Sequence, residues 1–498
     1  MHQTHITTRR RVRLSRWLAT AVVAAAGAAS VVALASPAGA VVAPNRIQRL
    51  TSAQAAALHS DLRAGRLSRS TSSLQLCRAA KLRCDVQVIT SKQTAAKSAP
   101  ALLTSAAPPK SSGVQPNAIA PPVGYGANEL STAYGLDSAP SRTGTIVVIG
   151  AGAYPTLESD LSIYRSTYGL PACTKSSGCF KQVNYKGGAP YAPATDLDDQ
   201  FGEEDIAVET ALDVDMASAA CPKCKIISMQ VPLVDGFYGD EQATHNAILH
   251  FATGVQTARK LGASAVSISY GYPTDSYADS GTVAKLMTQP GMPIVSSSGD
   301  SGFLGQYSDQ GDTLDGTSWP QDLPTVTSAG GTSLFPSQTA RKYSETAWNG
   351  AGSGCTYDVA PAAGQPKSVS DHCDGGRAAS DLSAVADPYT GVAVYDSYAP
   401  GSGVPYGFLV VGGTSVSSPF LAGMYARATA SKSVLGPNTI YTAPKSTIND
   451  ITVGSNAPPN YCPSYGWDVQ LCVSGKGWDG PTGVGSPKGL APFARASS

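Results

Sequence analysis

Val411-Gly-Gly-Thr-Ser-Val-Ser-Ser-Pro419 stands between an apolar run, Phe408 to Val411, and a helical pattern of small residues that continues to about Ala430. A strand, a glycine turn and a helix in succession form the repeating unit of a parallel sheet, and the rest of the chain repeats the pattern. Thr145–Ala151 (TIVVIGA), Lys225–Val231 (KIISMQV), Ala265–Tyr270 (AVSISY) and Pro293–Ser298 (PIVSSS) are short apolar runs of strand length. Asp205–Ala220 and His245–Leu261 have helical periodicity. Such alternation predicts an α/β fold, a parallel sheet with helices on both faces. In these sheets reactive groups gather beyond the carboxyl ends of the strands, where Ser298-Gly299-Asp300 and Gly413-Thr414-Ser415 both fall. No repeat of solenoid period is present.

The chain has 498 residues, 42% hydrophobic and 14% charged, enough for one large core and a smaller unit. Arg9, Arg10, Arg11, Arg13 and Arg16 precede an apolar run from Trp17 to Ala35 and then Ala38-Gly39-Ala40, which predicts an export signal over 1–40 and a secreted product. The ten cysteines fall into near-neighbour pairs: Cys77/Cys84, Cys173/Cys179, Cys221/Cys224, Cys355/Cys373 and Cys462/Cys472. On an exported chain this spacing predicts local disulfides rather than a zinc site or a redox pair.

A helical pattern over Leu50–Leu76 and a strand-like Val86–Ile89 lie in a prosegment, 41–90. An Ala/Ser/Pro/Lys-rich linker, 91–123, follows and would be the site of activation cleavage. The main domain is 124–498. The overall charge of +1 hides a split. Residues 1–120 hold 16 Lys and Arg against two acidic residues, Asp61 and Asp85, whereas the remainder is strongly acidic. Nucleic acid and anionic lipid are the usual partners of a basic segment; the nearer partner here is the acidic part of the same chain.

A serine hydroxyl needs a base, and none of the six histidines (His2, His5, His59, His245, His250, His372) sits in a catalytic pattern. Gly299-Asp300-Ser301-Gly302 imitates the serine loop of trypsin-like enzymes, but those are all-β and use histidine, so Ser301 is no nucleophile. Ser415 opens a helix, where backbone N–H groups and the dipole favour negative charge, although such a turn also serves as a simple N-cap. The stretch Asp196–Asp215 (DLDDQFGEEDIAVETALDVD) supplies a different base. Asp205, Glu209 and Asp213 recur every four residues on one helix face. Asp213, two turns in and flanked by apolar residues, is more than a dipole partner. A buried carboxyl pair raises at least one pKa.

Glu209-x-x-x-Asp213, Ser298-Gly299-Asp300 and Gly413-Thr414-Ser415-x-x-x-Pro419 together resemble the sedolisin family of serine-carboxyl peptidases. So do Asp160–Arg165 (DLSIYR), Tyr168–Pro171 (YGLP), Ser344–Trp348 (SETAW) and Ala386–Gly391 (ADPYTG), over about Tyr125 to Gly489. The resemblance implies a subtilisin-like fold preceded by an inhibitory prosegment, here a short one, and a monomeric, secreted acid endopeptidase acting on polypeptides. It implies Ser415 as nucleophile, Glu209 as general base and then acid, Asp213 as the group orienting Glu209, and a protonated Asp300 donating to the oxyanion. It also implies one Ca²⁺ held by the side chains of Asp450 and Asp479 and the carbonyls of Ile451, Gly475 and Gly477. Gly466-Trp467-Asp468 is a rival to the stretch around Asp479. Two departures stand out: the prosegment is shorter than is usual in the family, and Ser380 in Arg377–Asp381 (RAASD) replaces a usual proline. A tripeptidyl-peptidase of the same family, or an inactive binding protein on the same scaffold, are the competing readings.

Overall fold

The computed structural model describes residues 46–47, 73–75, 83–89, 103–105, 124–140, 143–195, 197–233, 241–273, 281–303, 317–398, 407–428 and 433–494. The export signal and most of the prosegment and linker lie outside them. Within that region Arg46–Ile47 pairs antiparallel with Leu103–Ser105. Ser73–Gln75 is a strand, β1, rather than the end of the helix that the pattern over Leu50–Leu76 predicts. It is held as strand by pairing with Gln87–Ile89, a case of tertiary context overriding local periodicity.

After β1 come β2 (Arg83–Cys84) and β3 (Gln87–Ile89). The main domain then supplies β4 (Thr145–Ala151), β5 (Phe180–Asn184), β6 (Lys225–Val231), β7 (Ala265–Ile268), β8 (Tyr270–Pro273) and β9 (Ile294–Ser297). It continues with β10 (Val326–Pro336), β11 (Tyr343–Ala347), β12 (Leu382–Val385), β13 (Val392–Asp396) and β14 (Gly407–Gly412). Among the described residues the central sheet has eight strands in the order β11-β10-β9-β7-β4-β6-β5, with β12 also on β10. Every pairing in it is parallel except β10 with β11. The run Ala265–Tyr270 is divided: β7 stays in the sheet, while β8 turns out to pair antiparallel with β2.

The helices are α1 (Leu157–Thr167), α2 (Leu197–Ala220), α3 (Glu241–Lys260), α4 (Gly281–Met287) and α5 (Thr414–Ala428). Both faces of the sheet are covered. Consecutive residues of a strand point to opposite faces; a Cβ on Gly150 of β4 would meet Thr210 of α2, whereas the neighbouring Ile149 packs on Gly254 of α3. α5 is buried from Thr414 to Arg427, which explains why its sequence is small and apolar all round rather than amphipathic. Its approach to α2 is so close that a Cβ on Gly423 would lie 2.6 Å from that of Ala220.

One expectation needs correction. The strand leading to Ser415, β14, does not belong to the parallel sheet. It lies in a separate antiparallel sheet, β13-β14-β3-β1, whose last two strands come from the segment before the main domain. Among the described residues no helix is long and apolar enough to cross a membrane.

Candidate active site

α2 is a 24-residue helix, eight residues longer at its start than the sequence pattern suggests. Buried against sheet and α5, it places Glu209 and Asp213 at 0% and 1% exposure. One helical turn apart, their Cβ atoms are neighbours at about 5–6 Å. Asp205 is on the same helix, but its side chain lies outside the described residues.

Ser415 lies in the first turn of α5, where backbone N–H groups have no intrahelical acceptor. Its Oγ donates to Glu209 Oε2 at 2.9 Å and lies 3.5 Å from the Ser269 carbonyl. Ser269, between β7 and β8, donates its own hydroxyl to Asp213 Oδ1 at 2.6 Å. The remaining oxygens, Glu209 Oε1 and Asp213 Oδ2, are buried with no other hydrogen-bond partner among the described residues. Burial holds Glu209 well above the usual carboxylate range, with Asp213 adding to the rise and the Ser415 hydroxyl opposing it. Burial pushes Asp213 up to about 8, against the Ser269 bond. Both carboxyls therefore keep their protons to higher pH than a free carboxyl does.

Asp300 follows β9 after Gly299, whose φ of +102° suits glycine. Thr414 fastens it: the Thr414 N–H and hydroxyl donate to Asp300 Oδ1 at 2.8 and 3.0 Å, and the Gly299 N–H donates to Thr414 Oγ1 at 3.0 Å. Ser301, by contrast, is exposed. Two histidines are committed elsewhere: the His250 ring lies tilted against that of Tyr185 with centroids 4.4 Å apart, and His372 pairs with Asp468 at 2.6 Å.

The structure thus brings Ser415, Glu209, Asp213 and Asp300 together. It adds four residues that sequence reasoning missed: Ser269, Thr414, Ser297 and Asp85. The Ser415 N–H donates to the Asp85 carbonyl at 3.1 Å, and Ser297 Oγ donates to Asp85 Oδ2 at 2.6 Å. Asp85 had one signal, being one of only two acidic residues in a basic segment.

At the C-terminal end Asp479 is fully buried and Asp450 exposed. Gly475 N–H donates to Asp479 Oδ2 at 3.0 Å and Gly477 N–H to Asp450 at 3.1 Å. Burial raises Asp479 to about 8, and Asp450 is near enough to add to the rise. Among the described residues no group of three or more His, Cys, Asp or Glu side chains converges. Two mutually repelling carboxylates beside a glycine loop nevertheless fit a hard cation completed by main-chain oxygens. The rival Asp468 caps Gln470 and binds His372, away from this loop. Four of the expected disulfides are formed: Cys173–Cys179, Cys221–Cys224, Cys355–Cys373 and Cys462–Cys472. Cys84 is also disulfide-bonded, and Cys77 lies outside the described residues. The Ala379–Ser380 peptide is cis, and the Trp478 indole N–H donates to the Ser380 carbonyl at 2.8 Å.

Fold and site together define the class: a subtilisin-like α/β protein with a buried carboxyl pair beside a helix-start serine. No family model matches the chain. It is 32% identical over 303 residues to kumamolisin of Bacillus sp. (strain MN-32), covering 57% of this chain and 49% of that protein. It is 27% identical over 388 residues to sedolisin of Pseudomonas sp. (strain 101), covering 73% and 60%. A solved structure of Pseudomonas sedolisin, a serine-carboxyl proteinase complexed with two molecules of pseudo-iodotyrostatin, shares the fold. Its TM-score is 0.55 at 24% identity, covering 74% of this chain and 96% of that one. The chain is thus similar to two serine-carboxyl peptidases of the sedolisin family and shares the fold of one. It spans about half to three-fifths of the length of the two curated relatives.

Proposed function

We propose that the chain is a secreted serine-carboxyl endopeptidase, made with an inhibitory prosegment and active at acid pH. The observation that carries this reading is the 2.9 Å hydrogen bond from Ser415 Oγ to buried Glu209 at the head of α5. Glu209 accepts the serine proton as Oγ attacks a substrate carbonyl. Asp213, fixed by Ser269 one helical turn from Glu209, raises the proton affinity of Glu209 and would orient it. Negative charge developing on the carbonyl oxygen meets the Ser415 N–H and a protonated Asp300, donors that need no reorganisation. Glu209 then returns its proton to the departing amine, and water hydrolyses the acyl-serine ester by the same steps in reverse order.

Endopeptidase action is supported by the segment that fills the groove. Residues 83–89 pass through it with chain on both sides, pairing with β8 before Ser415 and with β14 beyond it. The same occupancy supports inhibition by the prosegment. Asp450 and Asp479 with the carbonyls of Ile451, Gly475 and Gly477 would hold Ca²⁺, which would tie the C-terminal loops together and take no part in hydrolysis.

Hydrolysis of an unfolded protein is the test. Ser415→Ala and Glu209→Gln are each expected to lower kcat by about 10⁴-fold or more, while replacing His245, His250 or His372 leaves comparable activity. The pH–rate profile should peak well below neutrality. An aspartic acid of ordinary pKa near 3.9 is mostly ionised at pH 7, and an ionised Asp300 cannot donate. A peak at about pH 7–8, or one histidine as essential as Ser415, would refute the proposal.

A further inference from the structure

The segment Arg83–Ile89 lies across the candidate nucleophile as a strand bound at both ends. Upstream, Arg83 and Cys84 pair antiparallel with Gly271 and Tyr270 of β8, and the Asp85 N–H reaches the Ser269 carbonyl at 3.4 Å. Downstream, Gln87 and Val88 pair antiparallel with Gly412 and Val411 of β14. Between the two ladders the Asp85 carbonyl accepts the Ser415 N–H at 3.1 Å. The point where a Cβ on Gly413 would sit is 1.9 Å from that carbonyl oxygen and 2.7 Å from Asp300 Oδ2. Only glycine, at φ +107°, allows the approach. Asp300 therefore flanks the same oxygen as the Ser415 N–H. An extended chain with main-chain pairing on both sides and one carbonyl on a helix N-terminal amide has the arrangement of a peptide bound by strand addition. The residue in register is Asp85.

The Asp85 side chain is buried at 1% exposure, between the buried Cys84 and Val86. It is held by Ser297 Oγ at 2.6 Å, from the last residue of β9. Its neighbours are carboxyls: it adds to the rise of Glu209, as Asp213 and Asp300 also do. Ser297 thus holds a carboxyl group in a pocket that other carboxyls make unfavourable for a charged one.

We propose that Asp85–Val86 is the peptide bond this groove holds in substrate register and that the protein cuts in its own chain, with Ser297 as the side chain that reads aspartate before the cleaved bond. The inference rests on the peptidase reading above. Ser415 Oγ forms a bond to the Asp85 carbonyl carbon while its proton passes to Glu209. The carbon–nitrogen bond to Val86 breaks, and the Val86 nitrogen leaves as an amine with that proton. Water then opens the ester, leaving a carboxyl group on Asp85 and restoring the hydroxyl of Ser415.

The test uses the full-length chain, acidified to about pH 4, with disulfides then reduced and fragment ends read by mass spectrometry. Ends at Asp85 and Val86 are expected from the unaltered chain and not from Ser415→Ala. Asp85→Arg is expected to slow cutting at this bond at least ~10-fold, the scale of one lost hydrogen bond to a charged or partly charged group. With a peptide mixture as substrate, the unaltered enzyme should favour aspartate before the cut, and Ser297→Ala should lose that preference. An enzyme that digests unfolded protein but leaves Asp85–Val86 intact, or cuts it equally fast after Asp85→Arg, overturns the inference while the peptidase reading stands. No digestion of any protein, with Ser415→Ala indistinguishable from the unaltered chain, overturns both.

Discussion

Ser269 shows how much of this site depends on single side chains that touch no substrate. Its hydroxyl is the donor to Asp213 at 2.6 Å, while its carbonyl faces both Ser415 Oγ and the Asp85 N–H. We read it as a positioning residue. Ser269→Ala removes the bond that opposes the burial-driven rise of Asp213, so Asp213 keeps its proton to still higher pH and Glu209 loses part of its orientation. The expected outcome is a kcat about tenfold lower, equivalent to roughly 1.4 kcal/mol, with KM little changed. The pH–rate profile should also shift upward, which simple loss of packing would not produce. Ser269→Thr, keeping the hydroxyl, should recover most of the rate. An unshifted profile in Ser269→Ala would remove Ser269 from the mechanism.

At the scale of elements, the calcium proposed at the C-terminal loop around Gly475–Asp479 gives a prediction about stability. Asp479 receives N–H bonds from Gly475 and Thr482 and hydroxyl bonds from Thr482 and Ser474, yet its carboxyl is still raised to about 8 by burial, with Asp450 contributing. A divalent ion between the two would relieve that repulsion. Because such an ion binds only the folded loop, it adds RT ln(1 + [L]/Kd) to stability, about 2.7 kcal/mol at a hundredfold excess over Kd. Melting at about pH 6 with and without chelator is therefore expected to show a Tm several degrees lower in chelator. Asp450→Asn and Asp479→Asn should each abolish the difference. Unchanged melting together with no calcium by elemental analysis would count against the site.

On the scale of the whole molecule, buried carboxyls oppose the usual acid lability of proteins. Burial raises Glu209, Asp213, Asp215 and Asp396. Each then binds its proton more tightly folded than unfolded. Their contribution is fully present below the unfolded value, near 4, and is lost as pH rises through the folded one, about 8 for Asp213. Between those limits the folded state holds more protons, so stability should fall with rising pH. We expect Tm to be higher at about pH 5 than at about pH 8, by ~5 °C or more, and Asp213→Asn to flatten the slope. A Tm that rises steadily over that range would show that other groups dominate.

Much of this was legible from sequence because it is local. Strands β4, β6 and β9 are short apolar runs whose burial on both faces needs no distant information. Glu209 and Asp213 share a helix face by spacing alone, and Ser415 is marked by Gly412-Gly413 before a helix. The near-neighbour disulfides follow from chain proximity. What the sequence could not determine depends on distant pairings. β14 looks like one more strand of the parallel sheet; only its partners, β13 on one side and β3 on the other, put it in an antiparallel sheet. Ser73–Gln75 is helical by pattern and a strand by partnership. Ser269 and Ser297 are ordinary strand-end serines until folding sets them beside Asp213 and Asp85, 56 and 212 residues away. Asp85 is the clearest case. Sequence distinguishes it only as an acidic residue in basic surroundings, because its role is set by register: main-chain pairing with two separate strands places that carbonyl, and not a neighbour's, on the Ser415 amide.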